Sequence, residues 1–472
     1  MNVTLIHSLK KEKMQINTLS AKRRKNTMTE LKIDLSERGG AIKPMNCVNN
    51  GPIDGGVRNS YNNFDTYKAA CIPFARNHDA SFCASYGGEH IVDVHRIFRN
   101  FDADETNPEN YIFEPTDKYI ATTLAAGTQI FYRLGASIEH GYKFGTRVPK
   151  DFAKWARICE HIIRHYNEGW ANGFHHNIEY WEIWNEPDLG IFDGASPCWQ
   201  GNAEQFNELY CVTSKHLKEQ FPNLKIGGCA FYNPKENPLK TMVLDSVAKG
   251  EAHMDFFSFH WYGRFAAELA PYIRKNRETL DLLGLSHIPM VLDEYNYIKG
   301  FSGENWKDSL KAEKNLKGSA FISSIMCMGQ HEPLDMLMYY DARPCAMNGL
   351  FKNETFECLK GYYTFMMYSE LVKLGTHIPT DYMKEDIYSC AATDGDNSAV
   401  MLSYYNDADE AEARTVKLEF EGGNMPLRVR VYVLDEEKNL EPVREEIFSA
   451  DKFSVVIDMQ INSSVLVKLE RM

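Results

Sequence analysis

Several things are missing from this chain, and each absence narrows what it can be. No apolar run approaches the roughly 20 residues that a membrane-spanning helix needs, so a membrane partner is not expected. No secretory signal is legible. The apolar piece Val3 to Ile6 is too short for a signal core, and basic residues follow it rather than precede it. Basic charge is not in excess: 52 Lys and Arg face 65 Asp and Glu, a formal net charge of −13. That balance argues against nucleic acid or an anionic lipid surface as the main partner. Eleven cysteines are scattered without a repeating spacing, which excludes a disulfide scaffold and fits buried thiols in the cytoplasm. Metal spacing is missing as well. Asp102 to Asn107 lacks the glycine and closing glutamate of a calcium loop, and His175-His176 has no ligand partners nearby in sequence. No metal and no cofactor is implied. Internal repeats and low-complexity tracts are also absent.

What is present has a clear rhythm. Residues 1–27 read as a disordered basic leader, with Met28 as an alternative start, and residues 28–40 as a strand that crosses over to a later sheet. From 41 to 374, apolar strand-like runs alternate with helical patterns. Eight candidate strands can be counted: Pro44–Val48, Pro73–Arg76, Gln129–Leu134, Ile178–Trp184, Lys225–Cys229, Phe256–Phe259, Pro289–Leu292 and Met336–Tyr340. That order and length predict an α/β fold, a (β/α)8 TIM barrel. From 375 to 472 the rhythm becomes short alternating strands, such as Val400–Tyr405 and Thr415–Phe420, with Asp394-Gly395 as a tight turn. This predicts an accessory C-terminal β-sandwich, which Leu31 to Leu35 would join.

Two strands end abruptly in carboxylates: Tyr180-Trp181-Glu182-Ile183-Trp184-Asn185-Glu186-Pro187 and Ile288-Pro289-Met290-Val291-Leu292-Asp293-Glu294. Reacting groups of a TIM barrel sit at the C-terminal ends of its strands. Two glutamates placed there suit glycosidic bond cleavage, in which one carboxyl protonates the leaving oxygen and another attacks the anomeric carbon. Pro187 is expected to keep Glu186 extended at the strand tip. Glu182 shares its parity and should lie one layer deeper as a paired structural carboxylate. Trp184 has the same parity and would face the barrel interior. Trp170, Trp184 and Trp261 offer aromatic faces suited to pyranose rings as sugar platforms, Trp170 being read rather as packing.

The chain resembles clan A of the glycoside hydrolases and, within it, glycoside hydrolase family 39, the group of β-xylosidases and α-L-iduronidases. The resemblance rests on Val48-Asn49-Asn50-Gly51-Pro52, His78-Asp79, Phe101-Asp102-Ala103-Asp104, Tyr132-Arg133-Leu134-Gly135, His165-Tyr166-Asn167-Glu168-Gly169-Trp170, the Asn-Glu-Pro strand and His260-Trp261-Tyr262. It implies a retaining glycosidase that removes terminal non-reducing sugars, with Glu186 as acid/base and Glu294 as nucleophile. Glu186 must then arrive protonated and Glu294 ionised. Asn185 would hold the sugar 2-hydroxyl, His260 and Tyr262 would line the reacting subsite, and His78 and Asp79 would grip hydroxyls from the opposite wall. Glu139, Tyr340 and Arg343 complete the candidate substrate-binding set. After the last strand the chain departs from the β-xylosidase pattern of Trp and Glu, reading Tyr339-Tyr340-Asp341-Ala342-Arg343-Pro344. Arg343 there could meet a carboxylate-bearing sugar or pair with an aspartate. An endo-acting hydrolase and a non-catalytic sugar-binding barrel are the alternatives, and a homo-oligomer is compatible with the sequence.

Overall fold

The structure is a computed structural model, and it describes residues 28–54, 62–79, 91–138, 145–191, 197–423 and 426–472. Eight parallel strands close into a barrel: β2 (Cys47–Asn49), β3 (Phe74–Arg76), β4 (Gln129–Leu134), β5 (Tyr180–Ile183), β6 (Lys225–Phe231), β7 (Phe257–Gly263), β8 (Met290–Tyr297) and β9 (Met336–Tyr339). Each coincides with one of the eight runs expected from sequence, with ends shifted by a few residues. The largest extensions lie where pairing continues past the apolar run. β8 extends through Asp293 to Tyr297 because its polar tip still bonds to β7. The basic leader expected at 1–27 falls outside the described residues.

Helices between these strands start and stop on local chemistry. The helix Phe152–Glu168 begins where the Asp151 side chain accepts from the Lys154 amide at 2.9 Å, and it ends at Gly169 with φ +77°. An oxygen acceptor frees the first turn of an orphan donor, and glycine takes the left-handed cap at little cost. Its inner face buries Trp155, Ile158, Cys159, Ile162 and Ile163 against the barrel wall.

Beyond the barrel lies the all-β region. Its strands are β10 (Thr376–Ile378), β11 (Met383–Lys384), β12 (Ile387–Thr393), β13 (Ser398–Tyr404), β14 (Arg414–Glu421), β15 (Leu427–Leu434), β16 (Asn439–Phe448), β17 (Phe453–Met459) and β18 (Ser464–Arg471). One sheet runs β10-β12-β13-β18-β15-β16, with β11 on β12. The other holds three strands, β1 (Met28–Asp34), β14 and β17. β1 pairs in parallel with β14, Leu31 opposite Leu418 and Ile33 opposite Phe420, so the early strand does cross over to the late sheet. The two sheets share a core of Leu31, Ile33, Val400, Leu418, Val429, Val455 and Val467.

The larger sheet is covered on both faces. Its second face meets the helices Leu316–His331 and Lys360–Leu374, with Tyr388, Cys390, Met401 and Leu466 joining the barrel's core. Buried hydroxyls cross that seam, Ser323 Oγ bonding Ser403 at 2.9 Å and Ser464 at 2.8 Å. Double coverage explains why β12, Ile-Tyr-Ser-Cys-Ala-Ala-Thr, shows no alternation and was not legible as a half-buried strand. The ten cysteines among the described residues are free. No helix among those residues is long and apolar enough to cross a membrane.

Candidate active site

The polar ends of several strands converge at one mouth of the barrel. Glu186 follows β5, the fourth barrel strand, and Glu294 sits in β8, the seventh. They are 2% and 3% exposed. An oxygen of each, together with a ring nitrogen of His260, lies within a triangle whose sides are no longer than 4.8 Å.

Local backbone irregularities make this meeting happen. Glu186 is not extended as Pro187 led us to expect. It is left-handed, φ +48°, with its amide bonded to the Ala230 carbonyl at 2.9 Å. The proline bars the right-handed region, and the β6 carbonyl selects the left-handed one. Trp184 is left-handed as well, φ +77°, which ends the strand's alternation. Trp184 therefore points away from the interior, packing on Trp155, Trp199 and Phe206, with its indole N–H on the Cys198 carbonyl. A side chain committed this way is no sugar platform. Trp170 packs on Tyr111 and His161, and Trp261 stacks on Phe321 at 6.0 Å. Strained non-glycine residues of this kind are typical of functional sites.

A register shift in β7–β8 adds a second device. Phe259 pairs with Leu292, but His260 pairs with Glu294, skipping Asp293. Neighbouring residues in a regular strand face opposite sides, and a bulge relaxes that rule. Here it lets Asp293 and Glu294 both reach one guanidinium, that of Arg76.

Arg76 is the hub, fully buried at the end of β3. It donates to Glu182 at 2.7 Å through Nε, to Glu294 at 2.7 Å through Nη1 and to Asn185 at 2.7 Å through Nη2, with Asp293 at 3.3 Å. Glu182 lies a layer below and also accepts from Ser258 at 2.6 Å. Burial pushes Glu182 up to about 8, so it carries a proton near neutrality. Asp293 is buried too, yet Arg76 and His260 hold it below its ordinary range. The pair thus keeps one proton and one charge. In the sequence Arg76 is only the last residue of the candidate strand Pro73–Arg76, with no role attached. The available signal was an arginine inside a barrel strand, which must find carboxylates once buried.

The two glutamates sit in unlike surroundings. Glu294 accepts from Arg76 and, at 2.7 Å, from the Tyr262 hydroxyl. Burial pushes it up to about 7 against the pull of His260 and Arg76. Glu186 meets His260 Nδ1 at 2.8 Å, and its second oxygen has no hydrogen-bond partner among the described residues. Burial resists charging of His260, but Glu294 and Asp293 outweigh it and hold the ring well above its ordinary value.

The other expected residues distribute as follows. Asn185 is fixed through its oxygen by Arg76, leaving its buried Nδ2 unbonded among the described residues. His78 lies 3.5 Å from Glu294 and 3.6 Å from Asp79, and burial holds it well below its usual value, neutral. Asp79 accepts from the Tyr340 hydroxyl, and its backbone carbonyl accepts from Arg343 at 2.5 Å. Arg343 also stands 3.3 Å from Asp341 and 3.6 Å from the Asp79 carboxylate, so it is engaged in an internal ion pair. Glu139 lies outside the described residues. The triangle of Glu186, His260 and Glu294 has the spacing of a metal ligand set. Arg76 already supplies the positive charge beside Glu294, and the chemistry below needs no ion there.

Residues 86–284 match the model described as Glycosyl hydrolases family 39. Over that stretch the chain is similar to the family. Glu186 falls inside the family 39 match and Glu294 beyond it. A beta-xylosidase of Geobacillus stearothermophilus is 26% identical over 230 residues, covering 42% of this chain and 44% of that protein. An alpha-1,4-L-rhamnosidase of Formosa agariphila is 22% identical over 196 residues, covering 38% and 36%. The matched stretch thus spans less than half the length of either curated relative. Among solved structures, a glucosidase from Croceicoccus marinus superposes with a TM-score of 0.78 at 18% identity, covering 95% of this chain and 99% of that one. That likeness is one of fold.

Proposed function

We propose that the protein is a retaining glycosidase that removes a terminal non-reducing sugar by double displacement, with Glu294 as nucleophile and Glu186 as acid/base. The observation that carries this reading is the approach of a Glu186 oxygen to a Glu294 oxygen within 4.8 Å. Retaining enzymes hold their carboxyls about 5–5.5 Å apart, whereas inverting ones need roughly 6.5–9.5 Å to admit a water. Attack by Glu294 on the anomeric carbon expels the leaving oxygen, which takes the proton of Glu186. The ester formed neutralises Glu294. Glu186 then accepts a proton from water, whose oxygen displaces Glu294 and restores the starting configuration. Arg76 and Tyr262 hold Glu294 in position for both steps, and the unbonded Asn185 amide suits a sugar 2-hydroxyl. His260 lies on the Glu186 oxygen and can hand it a proton along their 2.8 Å contact.

The sugar is a neutral pyranoside, β-xyloside-like or related. Arg343 supports this, because two aspartates engage its guanidinium and leave no excess positive charge for a uronate. Asp79, Tyr340 and neutral His78 are suited to sugar hydroxyls. The relatives are described as acting on xylosides and rhamnosides, so fold alone does not select among neutral sugars. Free thiols support a reducing, cytoplasmic setting.

The test is azide rescue on aryl glycosides. Glu294→Gly with azide should give a glycosyl azide of inverted configuration, and Glu186→Ala one of retained configuration. Wild-type rates from Glu186→Ala on poor leaving groups would remove the acid assignment, as would wild-type rates from Glu294→Gly for the nucleophile.

A further inference from the structure

The turn that carries Glu186 is tied to the end of β6 twice. The first tie is the Glu186 amide on the Ala230 carbonyl at 2.9 Å. Ala230 is itself held, its amide donating to Ser258 Oγ at 2.8 Å. The second tie comes two residues later. Asp188, 8% exposed, accepts from the Tyr232 amide at 2.8 Å, from the Asn233 amide at 3.3 Å and from the Asn237 side chain at 2.9 Å. The Leu189 amide bonds back to the Glu186 carbonyl at 3.0 Å, which closes the turn.

The partners of Asp188 are fastened in turn. Asn237 caps the helix Pro238–Ala248, its side-chain oxygen accepting from the Lys240 amide at 2.9 Å. Buried Lys240 donates to the Pro234 carbonyl and to Asn276, each at 3.1 Å, and Asn276 donates to the Pro234 carbonyl at 3.2 Å. Asn276 belongs to the next barrel helix, Leu269–Leu282. One carboxylate therefore links the Glu186 turn to two helices of the barrel wall. We infer that Asp188 is a positioning residue for the acid/base, fixing the turn that presents the Glu186 carboxyl to the leaving oxygen. The inference rests on the glycosidase reading above and adds to it a residue that acts only through Glu186.

Strain explains why the turn needs a clamp. Glu186 is left-handed at φ +48°, and a non-glycine residue stays there only where its surroundings over-determine it. The bond to Ala230 fixes one side of the turn, and the three bonds of Asp188 fix the other. Charge explains why the clamp is an aspartate. All three partners donate, so an acceptor-only carboxylate meets them, whereas an amide in its place would turn an N–H toward an N–H. Burial outweighs these donors and pushes Asp188 up to about 6. A turn can be closed without burying a charge. Here the charge is buried where proton transfer needs its donor held in place, since a displacement of about 1 Å in a reacting group costs on the order of 100-fold.

Leaving groups separate positioning from packing. Wild type, Asp188→Asn and Asn237→Ala would be assayed on dinitrophenyl, nitrophenyl and phenyl β-xylosides and β-glucosides. Only a poor leaving group needs the proton of Glu186. In Asp188→Asn, kcat/KM should fall on the order of 100-fold on the phenyl glycoside and below about threefold on the dinitrophenyl one. On the dinitrophenyl glycoside kcat and KM should drop together, because water activation by Glu186 slows and the glycosyl-enzyme accumulates. Asn237→Ala removes one donor and keeps the charge, so it should show the same pattern at about tenfold. It decides the matter if Asp188→Asn does not fold. Equal losses on all three leaving groups, or wild-type rates on the phenyl glycoside, would overturn the positioning role and leave the glycosidase reading intact. Absence of wild-type turnover on every one of these glycosides would remove the glycosidase reading proposed above, and the role of Asp188 with it.

Discussion

In the sandwich, Leu31, Val400, Leu418, Val455 and Val467 are buried against one another between two sheets. At the same depth, the mouth of the barrel holds Arg76, Glu182, Asp293, Glu294 and His260. Both regions exclude water, but they exclude it for different ends. Apolar burial in the sandwich stabilises the fold in proportion to area. In the barrel, exclusion strengthens every charge interaction, while desolvating the charges costs stability. The site is a place where the molecule gives up stability for prearranged charge, and the sandwich is a place where it does not.

Substitutions can sharpen that contrast. The widest split is expected from Glu294→Gly, with kcat on aryl glycosides lower by on the order of 10⁵-fold and the thermal midpoint no lower than wild type. A matching collapse in midpoint would make the residue structural. Next comes Arg76→Met, which leaves Glu294 and Asp293 buried with His260 as their remaining cation. Urea unfolding should register a loss of about 3–5 kcal/mol, accompanied by lost turnover. Wild-type stability and rate together would contradict the hub. Leu418→Ala in the sandwich should cost about 2–5 kcal/mol by the same measurement, with kcat unchanged. If turnover fell in proportion, the two regions would be coupled rather than contrasted.

The smallest effect is in pH. Burial raises Glu182 to about 8, Glu294 to about 7, and Asp188 and Asp341 to about 6. A folded value above the unfolded one contributes stability that is full below roughly pH 4 and is lost as pH rises through 6 to 8. Glu105 and Asp255 lie the other way, at about 2 despite burial, held by Arg157 and by His253 with Lys218. Their contribution is present above roughly pH 4 and is lost as pH falls toward 2. The thermal midpoint should therefore decline between pH 5 and pH 8, and Glu294→Gln should flatten part of that decline. Turnover should move oppositely. On the proposed reading Glu294 attacks as an ion, so kcat/KM should rise with pH and level off near 7. An acid limb near 4 would show that Glu294 is not held up by its surroundings.

The barrel was legible in the sequence because its strands are continuous apolar runs, and a fully covered parallel strand needs nothing subtler. Glu186 and Glu294 were legible because a carboxylate ending such a run is conspicuous. The links between elements were not. Arg76 gains its meaning from Glu182, Asn185 and Glu294, which only closure of the barrel brings near. Asp188 reads as an ordinary loop residue until β6 is seen beside it. The left-handed turns at Trp184 and Glu186 come from hydrogen bonds to a neighbouring strand, and no local preference announces them. β12 and β16 carry weak signals of different kinds. β12 is covered on both faces, so its side chains do not alternate, and β16 is exposed along most of its length.

The parallel pairing of β1 with β14 sets an order of assembly. Leu31 and Ile33 emerge from the ribosome among the first apolar residues of the described chain, yet their partners Leu418 and Phe420 are made only after the whole barrel. Contacts so distant in sequence form slowly, and an unpaired strand left waiting is a site for wrong association. During synthesis β1 must wait for β14, and their pairing ties the early strand to the tail.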